Sequence, residues 1–367
     1  MPTLFKAREK MQKAADVAIK EVLKVKPEEK VLIITNPDRD VKLISEALYN
    51  STLSAGGKPT LMYQAMKTQM EFAEDSVVRA IESNPDVTIS VSKEKLGKDK
   101  WRMKDPIDKK YEHVFNYLLG EKKMRSFWSP SITAKMFEET IPLDYAQMQA
   151  DAKALQQAFA NAVSVHVGAP SGTDITMNIK GRAIEADDGD FSEAGKGGNL
   201  PAGEVFMGPV VGASNGVIVY DGSISAAKGE IIIKTPIKCT VKDGFVSEIT
   251  GGRESKKLLK TITDAETKPP EMAKEGKLTE EQAKQYVRNA RNIGELGIGL
   301  NRLAKIVGNM LEDEKVYGTC HFAIGSNYEH DAPALIHLDG LVKKPTITVI
   351  YEDGSSKVVM RDGELVK

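Results

Sequence analysis

The first part of the chain alternates between short apolar runs and segments whose apolar residues have helical spacing. The apolar runs lie at 30–36, 59–64 and 86–92, and the helical segments between them lie at 41–57 and 70–84. The first helical segment ends in Gly-Gly, which is common at the C-terminal end of a helix. Strands and helices that alternate at this spacing predict an open parallel α/β sheet.

Three further segments extend this α/β region. The segments 3–24 and 132–161 have the apolar spacing of amphipathic helices, and the segment 123–130 predicts one more strand. The first strand-to-helix turn, TNPDRDVK, contains no glycine, so the fingerprint of a dinucleotide site or phosphate-binding loop is absent there. We therefore expect this region to be a scaffold and not a nucleotide site.

Near residue 160 the pattern changes to alternating residues punctuated by glycine. The segment 163–189 predicts a hairpin, 229–252 predicts two strands around a turn, and 254–291 is rich in helical pattern. We therefore predict an α/β fold class, with an N-terminal open α/β sheet domain over 1–160. A β-rich α+β domain follows over 161–367.

Composition and charge narrow the functional classes. The chain of 367 residues is 41% hydrophobic and 28% charged, and its net charge of -1 gives no global reason to bind nucleic acid or a membrane. The 2 cysteines lie far apart, so they form neither a disulfide framework nor a thiolate metal motif. No apolar run approaches the ~20 residues that span a bilayer, and no signal peptide is recognisable. We expect a cytoplasmic protein.

The window Tyr317–Asp339 holds three of the 5 histidines in the chain. The titratable candidates in it are His321, His330 and His337, with the acids Asp331 and Asp339. His337 and Asp339 form an H-x-D pair, whose side chains share a face on an extended strand. With His321 from a separate strand-like run, they could form a divalent metal site. The alternative, that these are surface or hydrogen-bonded core histidines, stays open, and we interpret His166 in that way.

Two isolated acids stand in glycine-rich apolar segments. They are Glu204 in PAGEVFMGP and Glu295 in IGELGIG. Burying such a charge is costly unless it is paired or bound to a metal, although either acid could instead be exposed at a turn or bonded to backbone amides. Together with His321, His337 and Asp339 they would supply five ligands. That number suits two divalent ions about 3.5–4 Å apart with a bridging water.

Four segments of the chain, in order, resemble the aminopeptidase T family of metallo-aminopeptidases, and most closely its shorter leucyl aminopeptidase-like members. They are NLPAGEVFMGP, ELGIGLN, EDEKVYGTCHFAIG and HLD, and the resemblance is strongest over 163–350. It implies a two-metal exopeptidase that acts on peptides, with an N-terminal α/β domain and a C-terminal metal-binding catalytic domain, forming a homodimer. By motif position the family's metal ligands fall on Glu204, Glu295, His321, His337 and Asp339.

The resemblance also implies a catalytic role for Tyr328, whose phenol would donate a hydrogen bond to the tetrahedral oxyanion. Three features depart from the family pattern: His330 and Asp331 in the loop NYEHDAPALI, Met207 where threonine is common, and the basic stretch 93–125. We expect these changes to affect the substrate pocket more than the metals. The basic stretch is either a solvated loop or a patch for an acidic partner.

The first functional hypothesis is a metal-dependent aminopeptidase that holds two divalent ions, Zn, Co or Mn. The ions would activate a bridging water, and Glu204 or Glu295 would carry its proton to the leaving amine.

The alternative is a mononuclear non-haem Fe(II) dioxygenase, because the superfamily resemblance extends to enzymes that cleave dihydroxypyridine rings. There His321, His337 and Asp339 would hold one iron, and the two glutamates would support them. A third, non-enzymatic hypothesis is a scaffold protein that binds a partner through the lysines of 93–125.

Overall fold

The structure of the protein is a computed structural model that describes residues 8–68, 71–97, 123–227 and 229–366. Most of the basic stretch 93–125 therefore lies outside the described residues, as does the beginning of the predicted helix 3–24. The chain forms two compact units. One comprises Met1–Gln149 and Asp187–Ala202, and the other comprises Ala150–Ala186 and Gly203–Lys367. The domain boundary near residue 160 stays a prediction.

The helices and strands of the described residues are numbered here in chain order. The helices are α1 (Glu9–Val17, continued by a π-helical turn, Ala18–Val22), α2 (Arg39–Ser54), α3 (Asp75–Glu82), α4 (Ala134–Thr140), α5 (Tyr145–Phe159), α6 (Arg253–Lys274), α7 (Glu280–Asn289) and α8 (Met310–Asp313). The strands are β1 (Lys30–Thr35), β2 (Lys58–Tyr63), β3 (Val87–Ser92), β4 (Arg125–Pro130), β5 (Ala162–Gly168), β6 (Asp174–Asn178), β7 (Glu185–Asp187), β8 (Gly197–Asn199), β9 (Glu204–Met207), β10 (Ser214–Tyr220), β11 (Ser223–Ile224), β12 (Ile231–Ile232), β13 (Ile237–Lys242), β14 (Phe245–Thr250), β15 (Ile293–Gly299), β16 (Thr319–Gly325), β17 (His337–Lys343), β18 (Thr346–Tyr351), β19 (Ser356–Arg361) and β20 (Glu364–Leu365).

The first unit is built on a parallel sheet in the order β2-β1-β3-β4-β8. Its central strands β1 and β3 are buried on both faces, which explains the continuous hydrophobic run of β1, whereas β3 alternates apolar residues with buried threonine and serine. Helix α2 begins where Asp38 accepts a hydrogen bond from the backbone N–H of Asp40, as an N-terminal cap does. The last strand, β8, enters this sheet from the segment Asp187–Ala202.

The second unit contains two sheets that are largely antiparallel. The larger has the order β14-β13-β10-β6-β5-β18-β19-β20, and the other has the order β12-β11-β17-β16-β15-β9-β7. The turn between β13 and β14 passes through Asp243 and Gly244 with φ of 47° and 81°, a left-handed geometry that favours the Asp-Gly pair found there. Helix α7 begins with a capping box, in which the side chains of Thr279 and Gln282 each accept a hydrogen bond from the backbone N–H of the other. This feature was not predicted from the sequence.

The predicted fold class is confirmed, since a parallel α/β sheet is followed by antiparallel β-rich sheets. The long helical pattern at 132–161 forms two helices, α4 and α5, with Pro142 between them. Among the helices within the described ranges, none is both long and apolar enough to cross a membrane.

Candidate metal centre

The predicted ligands lie on four adjacent strands of the second unit. Glu204 is on β9, Glu295 on β15, His321 on β16, and His337 and Asp339 on β17. Strands β15 and β16 are buried along their whole length, so an acid and an imidazole here are withdrawn from water. Residues that pair directly across two strands share a face of the sheet. The observed pairing places all five side chains on one face.

Small residues stand opposite the ligands across the strands. Glu204 is opposite Gly299, His321 is opposite Gly297, and His337 is opposite Gly325. Glu295 and Asp339 are both opposite Ala323. His321 is also opposite Leu341 on β17, so it is toward β15 that a small residue leaves space beside its imidazole. The sheet therefore lets five polar side chains converge above it.

Gly297 is the position where this space is most restricted. A Cβ atom on Gly297 would lie 2.0 Å from Nε2 and 2.1 Å from Cε1 of His321. The imidazole thus lies over the backbone of the neighbouring strand, at a place that only glycine leaves open. Sequence reasoning missed this role, although the repeated glycines of IGELGIG were its signal.

His337 is oriented by a backbone carbonyl. Its Nδ1 lies 2.8 Å from the carbonyl oxygen of Ser326, and since a carbonyl only accepts, Nδ1 is the donor. Nε2 lies 3.0 Å from Oε2 of Glu295 and 3.2 Å from Oδ1 of Asp339. A histidine that binds a metal commonly donates its other N–H in this way. Nε2 of His337 therefore has the orientation of a metal ligand.

His321 lies on the other side of Glu295. Its Nε2 is 3.3 Å from Oε1 of Glu295 and 3.5 Å from Oε2 of Glu204. Potential ligand atoms within 4.8 Å of one another therefore fall into two groups among the described residues. One is Glu204, Glu295 and His321, and the other is Glu295, His337 and Asp339. The two imidazoles meet through Glu295, which belongs to both groups.

Burial and charge act against each other in this cluster. Burial raises the pKa of Glu204 to about 8, while Lys315 and His321 oppose that rise. Burial would lower the pKa of His321, but Glu295 and Glu204 raise it to about 9. Burial likewise disfavours the charged form of His337, yet the pKa of His337 is raised well above its ordinary value by Asp339 and Glu295. The acids thus create a negative electrostatic potential that favours a positive charge in the cluster.

The chemistry of the donors fits a divalent metal ion. Buried oxygen atoms of Glu204, Glu295 and Asp339 make no hydrogen bond, and neither does Nδ1 of His321. Buried polar atoms are normally hydrogen-bonded, so such a cluster needs an explanation, and an ion bound by them would supply it. Carboxylates and imidazoles together suit Zn, Mn, Co or Fe. The buried His, Glu and Asp groups therefore indicate metal binding.

Lys315 is a neighbour of the cluster that the sequence interpretation overlooked. Its side chain is fully buried, and its Nζ donates hydrogen bonds to Oε1 of Glu204 and Oε1 of Glu314, each at 2.6 Å. A buried ammonium is costly unless it is paired in this way. The signal for it was a lysine at the end of the acidic run EDEK, directly before a strand with no exposed residue.

Tyr328 lies next to the cluster, in the loop of residues 326–336. Its ring centroid is 5.3 Å from that of Phe206 and 5.3 Å from that of His337. The residue as a whole is 59% exposed. The pKa of Tyr328 is nevertheless raised well above its ordinary value, because its hydroxyl loses hydration and lies near the negative charges of Glu295 and Asp339. The exposure describes the whole ring and the pKa concerns only the hydroxyl, so we take Tyr328 as a neutral phenol with an accessible ring.

The other unusual residues of this region have separate roles. In the same loop, His330 is exposed, with φ of 61°, and Asp331 accepts a hydrogen bond from Arg182 at 2.8 Å. Met207 is opposite Leu296 and thus lies on the face of the sheet away from the ligands. His166 is hydrogen-bonded to Asp174 at 2.8 Å, which agrees with its interpretation as a satisfied histidine.

Comparisons with known proteins agree with this fold and centre. A model of the family described as "NicX: 2,5-dihydroxypyridine 5,6-dioxygenase" matches residues 133–367. The structure of a 2,5-dihydroxypyridine dioxygenase from Pseudomonas putida KT2440 is similar, with a TM-score of 0.69 and 16% identity over 97% of this chain and 96% of that one. AmpT from Thermus thermophilus is similar with a TM-score of 0.63 and 17% identity over 98% of this chain and 99% of that one. A search of curated protein sequences gave no match.

The fold is the one that a NicX-type dioxygenase and AmpT have, and the buried cluster has the donors of a metal site. The chain belongs to the NicX family, whose model covers more than half of its length. The predicted resemblance to the aminopeptidase T family is thus supported at the level of the fold, while the family match is to dioxygenases.

Proposed function

We propose that this protein is a mononuclear non-haem Fe(II) dioxygenase that opens the ring of a dihydroxylated nitrogen heterocycle, of the dihydroxypyridine class. The observation that carries the proposal is that the imidazoles of His321 and His337 both contact Glu295, with Asp339 beside His337, within the region matched by the dioxygenase family model. Two histidines and one carboxylate are the ligands that many non-haem Fe(II) oxygenases use.

When bound, Fe(II) would supply the redox chemistry by which both atoms of O₂ enter the ring. His337 is held for binding by its Nδ1–H bond to Ser326. Glu295 contacts both imidazoles, and their hydrogen bonds outweigh burial and lower the pKa of Glu295. Its carboxylate lies between the two imidazoles, where it can orient a substrate hydroxyl by accepting a hydrogen bond from it. The buried strands below the ligands exclude water from that side of the site.

The accessible aromatic ring beside the ligands supports a flat substrate. Tyr328 packs against both His337 and Phe206, and the residue is exposed. Aromatic side chains bind planar rings by offset or edge-to-face packing, with ring centroids about 4.5–7 Å apart. A heterocycle bound at the metal would meet this ring within contact distance of His337.

Oxygen uptake is the experiment that tests the proposal. The purified protein is first reconstituted with Fe(II) under anaerobic conditions. In aerobic buffer with 2,5-dihydroxypyridine it is then expected to consume O₂, and the ultraviolet absorbance of the ring should be lost. The control is the same protein treated with a chelator. Hydrolysis of a leucyl anilide with Zn, Co or Mn, together with no oxygen uptake, would contradict the proposal.

A two-metal aminopeptidase is the second candidate, because Glu295 belongs to both groups of potential ligands. In that arrangement Glu295 would bridge two ions, a bridging water would be the nucleophile, and Glu204 or Glu295 would carry its proton. Tyr328 would then stabilise the oxyanion. The homodimer and the peptide substrate that the resemblance implies stay predictions.

Replacing Tyr328 by phenylalanine separates the two candidates. If Tyr328 contributes ring packing, Tyr328→Phe keeps oxygen-uptake kcat/KM within a factor of about three, since ring packing is mostly a matter of apolar area. If its hydroxyl is an oxyanion donor, the same change lowers kcat by about 10²–10³. Tyr328→Ala is the matched variant and is expected to raise KM for the heterocycle. A loss above a hundredfold in Tyr328→Phe would argue against the dioxygenase.

A further inference from the structure

The buried ion pair beside the centre bears on how many metal ions it holds. Lys315 has no exposed side-chain surface, and its Nζ lies 2.6 Å from Oε1 of Glu204. Among the described residues, Glu204 and Glu295 are the two carboxylates of the potential ligand group that contains His321, and the other group contains Glu295 without Glu204. A second ion would therefore have to share this carboxylate with an ammonium.

We propose that the Lys315 ammonium takes the place of a second metal ion, so that the centre binds one divalent ion and Glu204 serves as the partner of Lys315. This inference rests on the proposed function, because it explains why a cluster with ligands for two ions would act as a mononuclear site. The single ion is held by His321, His337 and Asp339, beside Glu295.

Geometry and charge support this division. Nζ donates to one oxygen of Glu204 and one oxygen of Glu314, so two carboxylates hold the ammonium in place. An ion bound to the other oxygen of Glu204 would lie within a few ångströms of that ammonium, and both side chains are buried. Like charges repel strongly at such separations when they are buried. Nε2 of His337 lies instead beside Oε2 of Glu295 and Oδ1 of Asp339, in the group of potential ligands that does not contain Glu204.

Short-range packing keeps Lys315 where it is. Lys315 comes two residues after the end of α8. Asp313, the last residue of α8, accepts hydrogen bonds from the hydroxyl of Ser223 at 2.6 Å and from the backbone N–H of Val307 at 2.7 Å. The backbone N–H of Asn301 donates to the carbonyl of Lys315 at 2.8 Å. The segment before β16 is therefore fixed at several points, and the lysine cannot leave Glu204 without disturbing it.

Metal counting tests the inference. Protein freed of metal and then given saturating Mn²⁺ alone is expected to bind one ion per chain, and Lys315→Met is expected to bind two. The paramagnetic resonance spectrum should change from that of an isolated Mn²⁺ to that of a coupled pair. The double variant Glu204→Gln/Lys315→Met should return to one ion, because the released carboxylate is then absent. Lys234→Met, at an exposed lysine, is the control and should stay at one.

A second variant keeps the inference testable if Lys315→Met does not fold. Glu204→Gln in the otherwise unchanged chain should still bind one ion, because Glu204 is not a ligand and the amide oxygen of glutamine can still accept a hydrogen bond from Lys315. Two ions in the parent protein, loss of the ion in folded Glu204→Gln, or one ion in folded Lys315→Met would each overturn the inference. Oxygen uptake by the same samples tests the proposed function separately: one ion without oxygen uptake removes that function and leaves this inference standing.

Discussion

His337→Ala is expected to abolish both metal binding and turnover. Its imidazole is the one in the cluster whose Nδ1–H is committed to a carbonyl, at 2.8 Å from Ser326, so that Nε2 is left for the ion. Loss of a partner that only orients a ligand costs about 10–100-fold in metal affinity or activity, and loss of the ligand itself should cost more. The variant also leaves Glu295 and Asp339 without the group that separates them.

Metal content after reconstitution, oxygen uptake and the thermal midpoint together check this result. The matched control is His330→Asn, since His330 is exposed in the same loop and asparagine tolerates its φ of 61°. We expect the control to keep the metal and the activity of the parent. If His337→Ala kept the full metal content, or if His330→Asn lost it, the assignment of ligands on β17 would be wrong.

Gly297→Ala is expected to disable the centre without touching a ligand. The added methyl group would lie 2.0 Å from Nε2 of His321, and His321 is itself 1% exposed. The imidazole must then move, and it has no free space to move into. Overpacking of a buried position costs about 1–3 kcal/mol of stability. The displaced imidazole should in addition weaken metal binding at least tenfold.

The control for this substitution is Gly168→Ala on β5. A Cβ atom there would come no closer than 3.8 Å to any neighbour, which is an ordinary contact. Both variants add one methyl group to a strand, so the comparison isolates the contact with His321. Isothermal titration with Mn²⁺ and thermal unfolding measure the two effects. Equal metal affinity in the two variants would mean that His321 does not need its observed position.

Much of the fold followed from short-range patterns. The apolar runs at 30–36 and 86–92 formed β1 and β3, and the Lys-Asp-Gly turn joined β13 to β14. Such patterns are reliable because strand burial and turn geometry depend on neighbouring residues. The sequence did not indicate that β8 joins the first sheet, since the pairing of distant segments is a tertiary property.

The reaction was harder to predict than the ligands. The ligand segments first suggested two metals and peptide hydrolysis, while the family match favours ring cleavage by a dioxygenase. The residue types alone suit both reactions, because carboxylates and imidazoles bind several metals in either number. What bears on the number of ions is the position of Lys315 next to Glu204, and that contact spans 111 residues of the chain.

The sequence by itself determined which residues can bind a metal and which of them share a face within one strand. His337 and Asp339 are two residues apart, and a strand repeats every two residues, so they must point to the same side. The tertiary structure alone decided that β9, β15, β16 and β17 align in the register that gathers all five ligands on that side. Register is set by the packing of whole strands, and a shift of one residue would turn the ligands of a strand away from the others.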